Sequence, residues 1–128
     1  IATSGRHGRS LSLGIADSVT VLAGNAAAAD AAATLIANAV DLPGHPAITR
    51  QPACELQPDS DLGQRAAVTG CRRLPLGDIH NALQAGLETA QEMQQRGLIR
   101  GAALFLQGEA RLAGPTGFTP THRTFMHA

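Results

Sequence analysis

The 128-residue chain carries 10 basic and 10 acidic residues for a net charge of +0, so it lacks the basic footprint of a nucleic-acid partner and any charge-based attraction to a membrane surface. Its length fits a single domain, and 44% hydrophobic against 16% charged residues excludes a disordered chain. With no Trp, no Tyr and 3 Phe, the core must be built from aliphatic side chains.

Ile1 to Ser4 reads as a short strand that ends at Gly5. It opens like a strand already under way, so the chain is expected to be a fragment or a processed product whose N-terminal half lies upstream. A loop of interleaved glycine and basic residues follows, Gly5-Arg6-His7-Gly8-Arg9-Ser10. Leu11 to Ala23 reads as strand, best at Ser18-Val19-Thr20-Val21-Leu22, where β-branched residues favour an extended chain. Asn25 is placed to cap a helix from Ala26 to about Val40, and the alanines favour that helix by propensity. This run is also the longest apolar one. Asp30, Thr34 and Asn38 interrupt it and it is too short to span a bilayer. With no signal pattern at the start, a cytoplasmic location is expected.

Leu42-Pro43-Gly44-His45-Pro46 ends the helix. A strand is expected around Ile48, a turn or single helical turn over Pro58 to Gly63, and a short strand at Ala66 to Thr69. A second helix runs from about Gly77 to Arg96. Leu76, Ile79, Leu83, Leu87, Ala90 and Met93 mark its buried stripe, and Gly97 stands where a terminating glycine belongs. Ala102 to Leu106 reads as a buried strand, with Gly108-Glu109 turning into Ala110-Arg111-Leu112. From Gly114 onward Pro and Gly punctuate the chain and no apolar period survives. The division is therefore a domain over 1–113 and a flexible tail over 114–128. The class is α+β, a mixed sheet with two main helices.

Three constellations carry chemistry. Asp30 and Thr34 stand four apart on one helix face, with Asn38 continuing the stripe. Hard oxygen donors of this kind suit Mg²⁺, but spacing alone favours the simpler reading, the solvent-facing stripe of an otherwise apolar helix. The Ser4, Gly5, Arg6, Gly8, Arg9 loop offers backbone amides and guanidinium groups to an anion, or is a solvated turn. Asp17 sits inside an apolar run. If buried it needs a hydrogen-bonding partner or a metal, and if it lies at a strand end or bulge it faces water. The histidines have no ligand-like spacing and read as surface or core-edge residues. Cys54 and Cys71 form no metal motif and are two thiols or one disulfide.

Ala2-Thr3-Ser4-Gly5, Val19-Thr20-Val21 and Ala29-Asp30-Ala31-Ala32-Ala33-Thr34 resemble the C-terminal half of ApbE, the family of Mg²⁺-dependent FAD:protein flavin transferases. With Gly14-Ile15-Ala16-Asp17 between them and the stretch from Gly101 to Glu109 near the end, the chain looks closer still to an uncharacterised bacterial and archaeal family of ApbE-like proteins. The similarity reaches to about Leu112. It implies a T-fold-related C-terminal half, with Asp30 and Thr34 as Mg²⁺ ligands and a flavin nucleotide or another phosphorylated molecule as ligand. The His-Ile-Ile-Asp-Pro segment of ApbE is missing here, as is its N-terminal Gly-Gly-Asp segment, so the resemblance does not extend to flavin transfer itself.

Together these readings describe a metal-assisted, ApbE-like enzyme acting on an anionic small molecule. Arg6 and Arg9 would hold the anion, Asp30 and Thr34 the Mg²⁺, and Asp17 would be an acid/base or metal partner. The partners are the ligand, the upstream half of the protein and a second copy of the chain. The rival is a non-catalytic binding or assembly protein of the same fold. An enzyme requires Asp17, Asp30 and the Ser4–Arg9 loop to meet in one cleft.

Overall fold

A computed structural model describes residues 1–5, 13–53 and 65–114. In chain order the elements are β1 (Ala2–Ser4), β2 (Ser18–Leu22), α1 (Ala26–Ala39), β3 (Ile48–Pro52), β4 (Ala66–Cys71), α2 (Leu76–Gln95), β5 (Gly101–Leu106) and β6 (Glu109–Ala113). The chain is α+β. Its main sheet has the order β1-β2-β5-β6, β3 and β4 form a separate two-stranded sheet, and every pairing is antiparallel. No helix among the described residues is long and apolar enough to cross a membrane.

The register explains how the core is shared. Val19 lies opposite Leu104, and Val21 opposite Ala102, which in turn faces Ala113. All five are buried in one cluster with Leu106 and the inner faces of the two long helices. α1 contributes Ala29, Ala32, Ala33, Ile36 and Ala37, a stripe at threes and fours. The small side chains let this helix lie close against β1 and β2. α2 covers β5 and β6. On the opposite sheet face the hydroxyls of Thr3 and Thr20 are 2.9 Å apart.

Local chemistry sets the ends of the helices. The Asn25 side chain accepts the Ala28 amide at 2.8 Å and caps α1 as the sequence predicts. α2 ends in a Schellman motif. The Gly97 amide reaches the Gln94 carbonyl at 3.0 Å and the Leu98 amide reaches Met93 at 2.9 Å, with Gly97 at φ 75°.

The buried stripe of α2 differs from its prediction at one end. Leu76 is 57% exposed because it opens the helix, and the innermost places belong to Ile79, Ala82, Leu83, Gly86 and Ala90. The strand expected from Leu11 is also shorter at its start. Ile15 donates to the Val40 carbonyl at 2.8 Å, so the approach to β2 bonds to the end of α1 instead of a sheet ladder.

The two-residue turn between β5 and β6 is Gln107-Gly108, both at positive φ (46° and 87°). Glu109 already pairs with Leu106 in the ladder. The expected turn over Pro58 to Gly63, and the tail beyond Gly114, lie outside the described residues.

Candidate functional site

Ser4 ends β1 opposite Val19, and both Ser4 and Gly5 are half-buried. Gly5 crosses directly over the residue at which β2 is entered. A Cβ at Gly5 would lie 2.8 Å from the carbonyl carbon of Asp17, closer still to its oxygen, and 3.0 Å from the Ser18 Cα. Only a residue without a side chain passes there, so the point where the chain leaves β1 is fixed against Asp17. Two predicted site residues are thereby brought together. Arg6, Gly8 and Arg9, the rest of the predicted anion loop, lie outside the described residues.

Asp17 is half-buried, and two contacts within the described residues hold it. Its amide donates to the Phe105 carbonyl at 2.9 Å, and its Oδ2 accepts the Gln107 amide at 2.7 Å. The carboxylate therefore caps the β5–β6 turn, which supplies the hydrogen-bonding partner that the sequence called for without identifying it. Just before it, the chain is clamped against α1. The Leu13 amide donates to the Asn38 side chain at 3.3 Å, and Arg50 pairs with Asp41 while donating to the Leu13 carbonyl at 2.9 Å. Asn38 thus leaves the polar stripe and serves the loop.

Asp30 and Thr34 are both exposed on one face of α1. The Thr34 hydroxyl donates to the Asp30 backbone carbonyl at 3.1 Å, which uses its proton and leaves oxygen lone pairs for another partner. Among the described residues no hydrogen bond or ion pair joins Asp30 or Thr34 to Ser4, Gly5 or Asp17. Nor do any three His, Cys, Asp or Glu side chains gather into a metal-binding group there. One carboxylate and one hydroxyl fit Mg²⁺ as a partial shell, of the kind completed by water and by the phosphates of a ligand. They do not make a self-sufficient metal cage.

The sequence model of the family described as AbpE bacteria matches residues 1–112. The chain belongs to that family. No curated protein and no solved structure gives a significant match. The matched span takes in the strand end at Ser4, Asp17, both α1 residues and the β5–β6 turn of this AbpE-family chain. The family description itself names no reaction, metal or cofactor.

Sequence reasoning missed other polar contacts in the AbpE-family chain. His45 accepts the Ala47 amide on Nδ1 at 3.1 Å, so its other nitrogen carries the proton that faces Asp78 Oδ2 at 2.9 Å. This ties the turn after α1 to the first turn of α2. His80 stands 3.4 Å from Glu109. Helical spacing could not reveal either pair, because the partners are 33 and 29 residues away. His7, His122 and His127 lie outside the described residues. The Cys71 sulfur lies 3.7 Å from the side-chain nitrogen of Gln107, and Cys54 lies outside the described residues.

Proposed function

We propose that this chain is the ligand-binding part of a cytoplasmic, metal-assisted ApbE-like enzyme that acts on a phosphorylated or otherwise anionic small molecule, a flavin nucleotide being one member of that class. The observation that carries the reading is the pairing of Asp30 and Thr34. They supply two hard oxygen donors one helical turn apart on an exposed face, with the Thr34 proton already spent on the helix backbone. Asp30 would hold the cation by charge and Thr34 by a neutral oxygen, and the bound anion would fill the remaining positions. Mg²⁺ supplies charge neutralisation of the anion when bound. The loop that begins at Gly5 would meet the anionic group, and an N-terminal half of the same protein would close the site.

Isothermal titration of FAD in the presence and absence of Mg²⁺ tests the proposal. Asp30→Ala should abolish Mg²⁺-dependent binding with the fold intact, and Thr34→Val should weaken it. Equal binding by wild type and both variants refutes the metal reading.

One observation favours the rival, a non-catalytic binding or assembly protein. Asp17, the residue cast as acid or base, has a carboxylate oxygen engaged in holding a backbone turn.

A further inference from the structure

The turn between α1 and β3 is closed by the ring of His45, which serves two stretches of chain in opposite hydrogen-bonding roles. Nδ1 accepts the Ala47 amide at 3.1 Å, and Nε2 donates to Asp78 Oδ2, in the first turn of α2, at 2.9 Å. An imidazole offers one acceptor and one donor only while it is neutral, and protonation makes both nitrogens donors. The Asp78 contact survives that change as a charge-assisted bond. The Ala47 contact cannot, because two N–H groups would then face each other.

Ala47 is a sensitive place to lose a bond. It is 8% exposed and belongs to the core cluster, so its amide has little access to water as a substitute partner. It also forms the foot of the β3–β4 hairpin. Its carbonyl accepts the Arg72 amide at 2.9 Å, one step beyond the Ile48–Cys71 pair that opens the ladder. The neighbouring Ile48 amide returns to the His45 carbonyl at 3.1 Å. The hairpin is a sheet of its own, held to the rest by this foot, by the Arg50 contacts and by packing of Ile48, Val68 and Cys71 on the core.

Three charged groups belong to the surrounding elements besides Asp78. Arg72, in the link from β4, donates from Nη2 to the Pro46 carbonyl at 3.2 Å. Asp41, just after α1, is taken up by Arg50 of β3 and by the Leu42 amide. Among the described residues Asp78 is therefore the charged partner of the ring, and Asp41 is already engaged elsewhere when Nδ1 ceases to accept.

We propose that His45 is a proton-operated latch at the foot of the β3–β4 hairpin. Neutral, it binds the turn to both Ala47 and α2. Protonated, it stays with α2 and releases Ala47, so acid loosens the start of the hairpin while the link from the turn to α2 tightens.

Nuclear magnetic resonance of the whole chain tests the latch. Ring nitrogen shifts and amide exchange are followed together from about pH 8 to about pH 5, the range in which histidines gain their proton. At the upper end Nδ1 should be bare and Nε2 protonated. As the ring becomes charged, the protection factor of the Ala47 amide should fall about tenfold, the loss expected for one hydrogen bond. The Leu98 amide, bonded to Met93 at the far end of α2, should keep its protection and so report an intact fold. His45→Asn puts an amide oxygen near the place of Nδ1, and Ala47 should then stay protected at both ends of the range. His45→Gln reaches toward Asp78 without an acceptor at that place, and Ala47 should be weakly protected at both ends. A proton on Nδ1 of the neutral ring overturns the proposal, as does a ring that stays neutral throughout. So does Ala47 protection that ignores the charging of the ring, that still falls in His45→Asn, or that stays full in His45→Gln.

Discussion

Replacing Gly86 by alanine sets two effects of known sign against each other. In an exposed helix interior the exchange would stabilise by about 1 kcal/mol, because alanine loses less backbone entropy. Gly86 is buried on α2, and a Cβ there would lie 2.8 Å from Leu104 Cδ2 and closer still to Val40 Cγ2, where ordinary contact begins near 3.4 Å. Val40 and Leu104 are both 0% exposed, so neither has free volume to swing into. Val40 is also β-branched and stiff about χ1. Overpacking of this kind costs about 1–3 kcal/mol. Set against the helix gain, the expected net loss is about 0–2 kcal/mol, or a fall of up to roughly 10 °C in melting temperature for a chain of this size. Val40→Ala alone should cost about 1.5–3 kcal/mol through lost burial. In the double variant the alanine methyl fills part of the space that Val40 vacated, so the combined cost should fall below the sum by about 1 kcal/mol. Urea denaturation of the four proteins measures the cycle. A Gly86→Ala variant more stable than wild type by about the full 1 kcal/mol of helix gain, or single costs that simply add, would refute the close-approach argument.

The other glycines and the α1 cap give two further tests by the same measurement. A Cβ on Gly14 would meet the Val40 carbonyl oxygen at 2.8 Å and the Ala37 oxygen closer still, whereas nothing lies within 4 Å of one on Gly24. Because backbone cannot rotate aside, Gly14→Ala should cost at least about 3 kcal/mol and Gly24→Ala no more than about 0.5 kcal/mol. Asn25→Ala should lose about 1 kcal/mol with the cap of α1, and Asn25→Asp should keep most of it.

What the sequence makes legible is whatever is decided within a few residues. β2 was readable because Val19, Thr20 and Val21 are a β-branched run, and its observed bounds are those of that run and its two neighbours. α1 was readable because alanine propensity and the Asn25 cap act locally, and Gly97 announced the end of α2 for the same reason. The pairing of β2 with β5 was not readable, since Val19 and Leu104 are brought together only when two helices and a hairpin have folded between them. The place of Gly86 was hidden likewise. A glycine in a helical pattern reads as a weakness, and only the approach of Val40 from another helix turns it into a requirement. Leu76 misled for the opposite reason: it keeps the helical period but stands on the first turn, beyond the edge of the sheet-covered face.

The same division runs through the candidate site. Asp30 and Thr34 share a face because helical geometry alone puts residues four apart on one side, and that much could be stated from spacing. Asp17 could be singled out as a carboxylate in an apolar run, but its partner is a backbone amide 90 residues later in the chain. Backbone amides leave no mark in a sequence. Gln107 could not be found at all by residue type, because glutamine has no preference for the left-handed conformation it adopts. Its signal is a conflict between local preference and observed backbone, visible only once the fold is known. Such conflicts persist where tertiary contacts outweigh local strain. By contrast, Asp30 and Thr34 are set by α1 alone, so the metal proposal can fail while the Gln107–Asp17 contact stands.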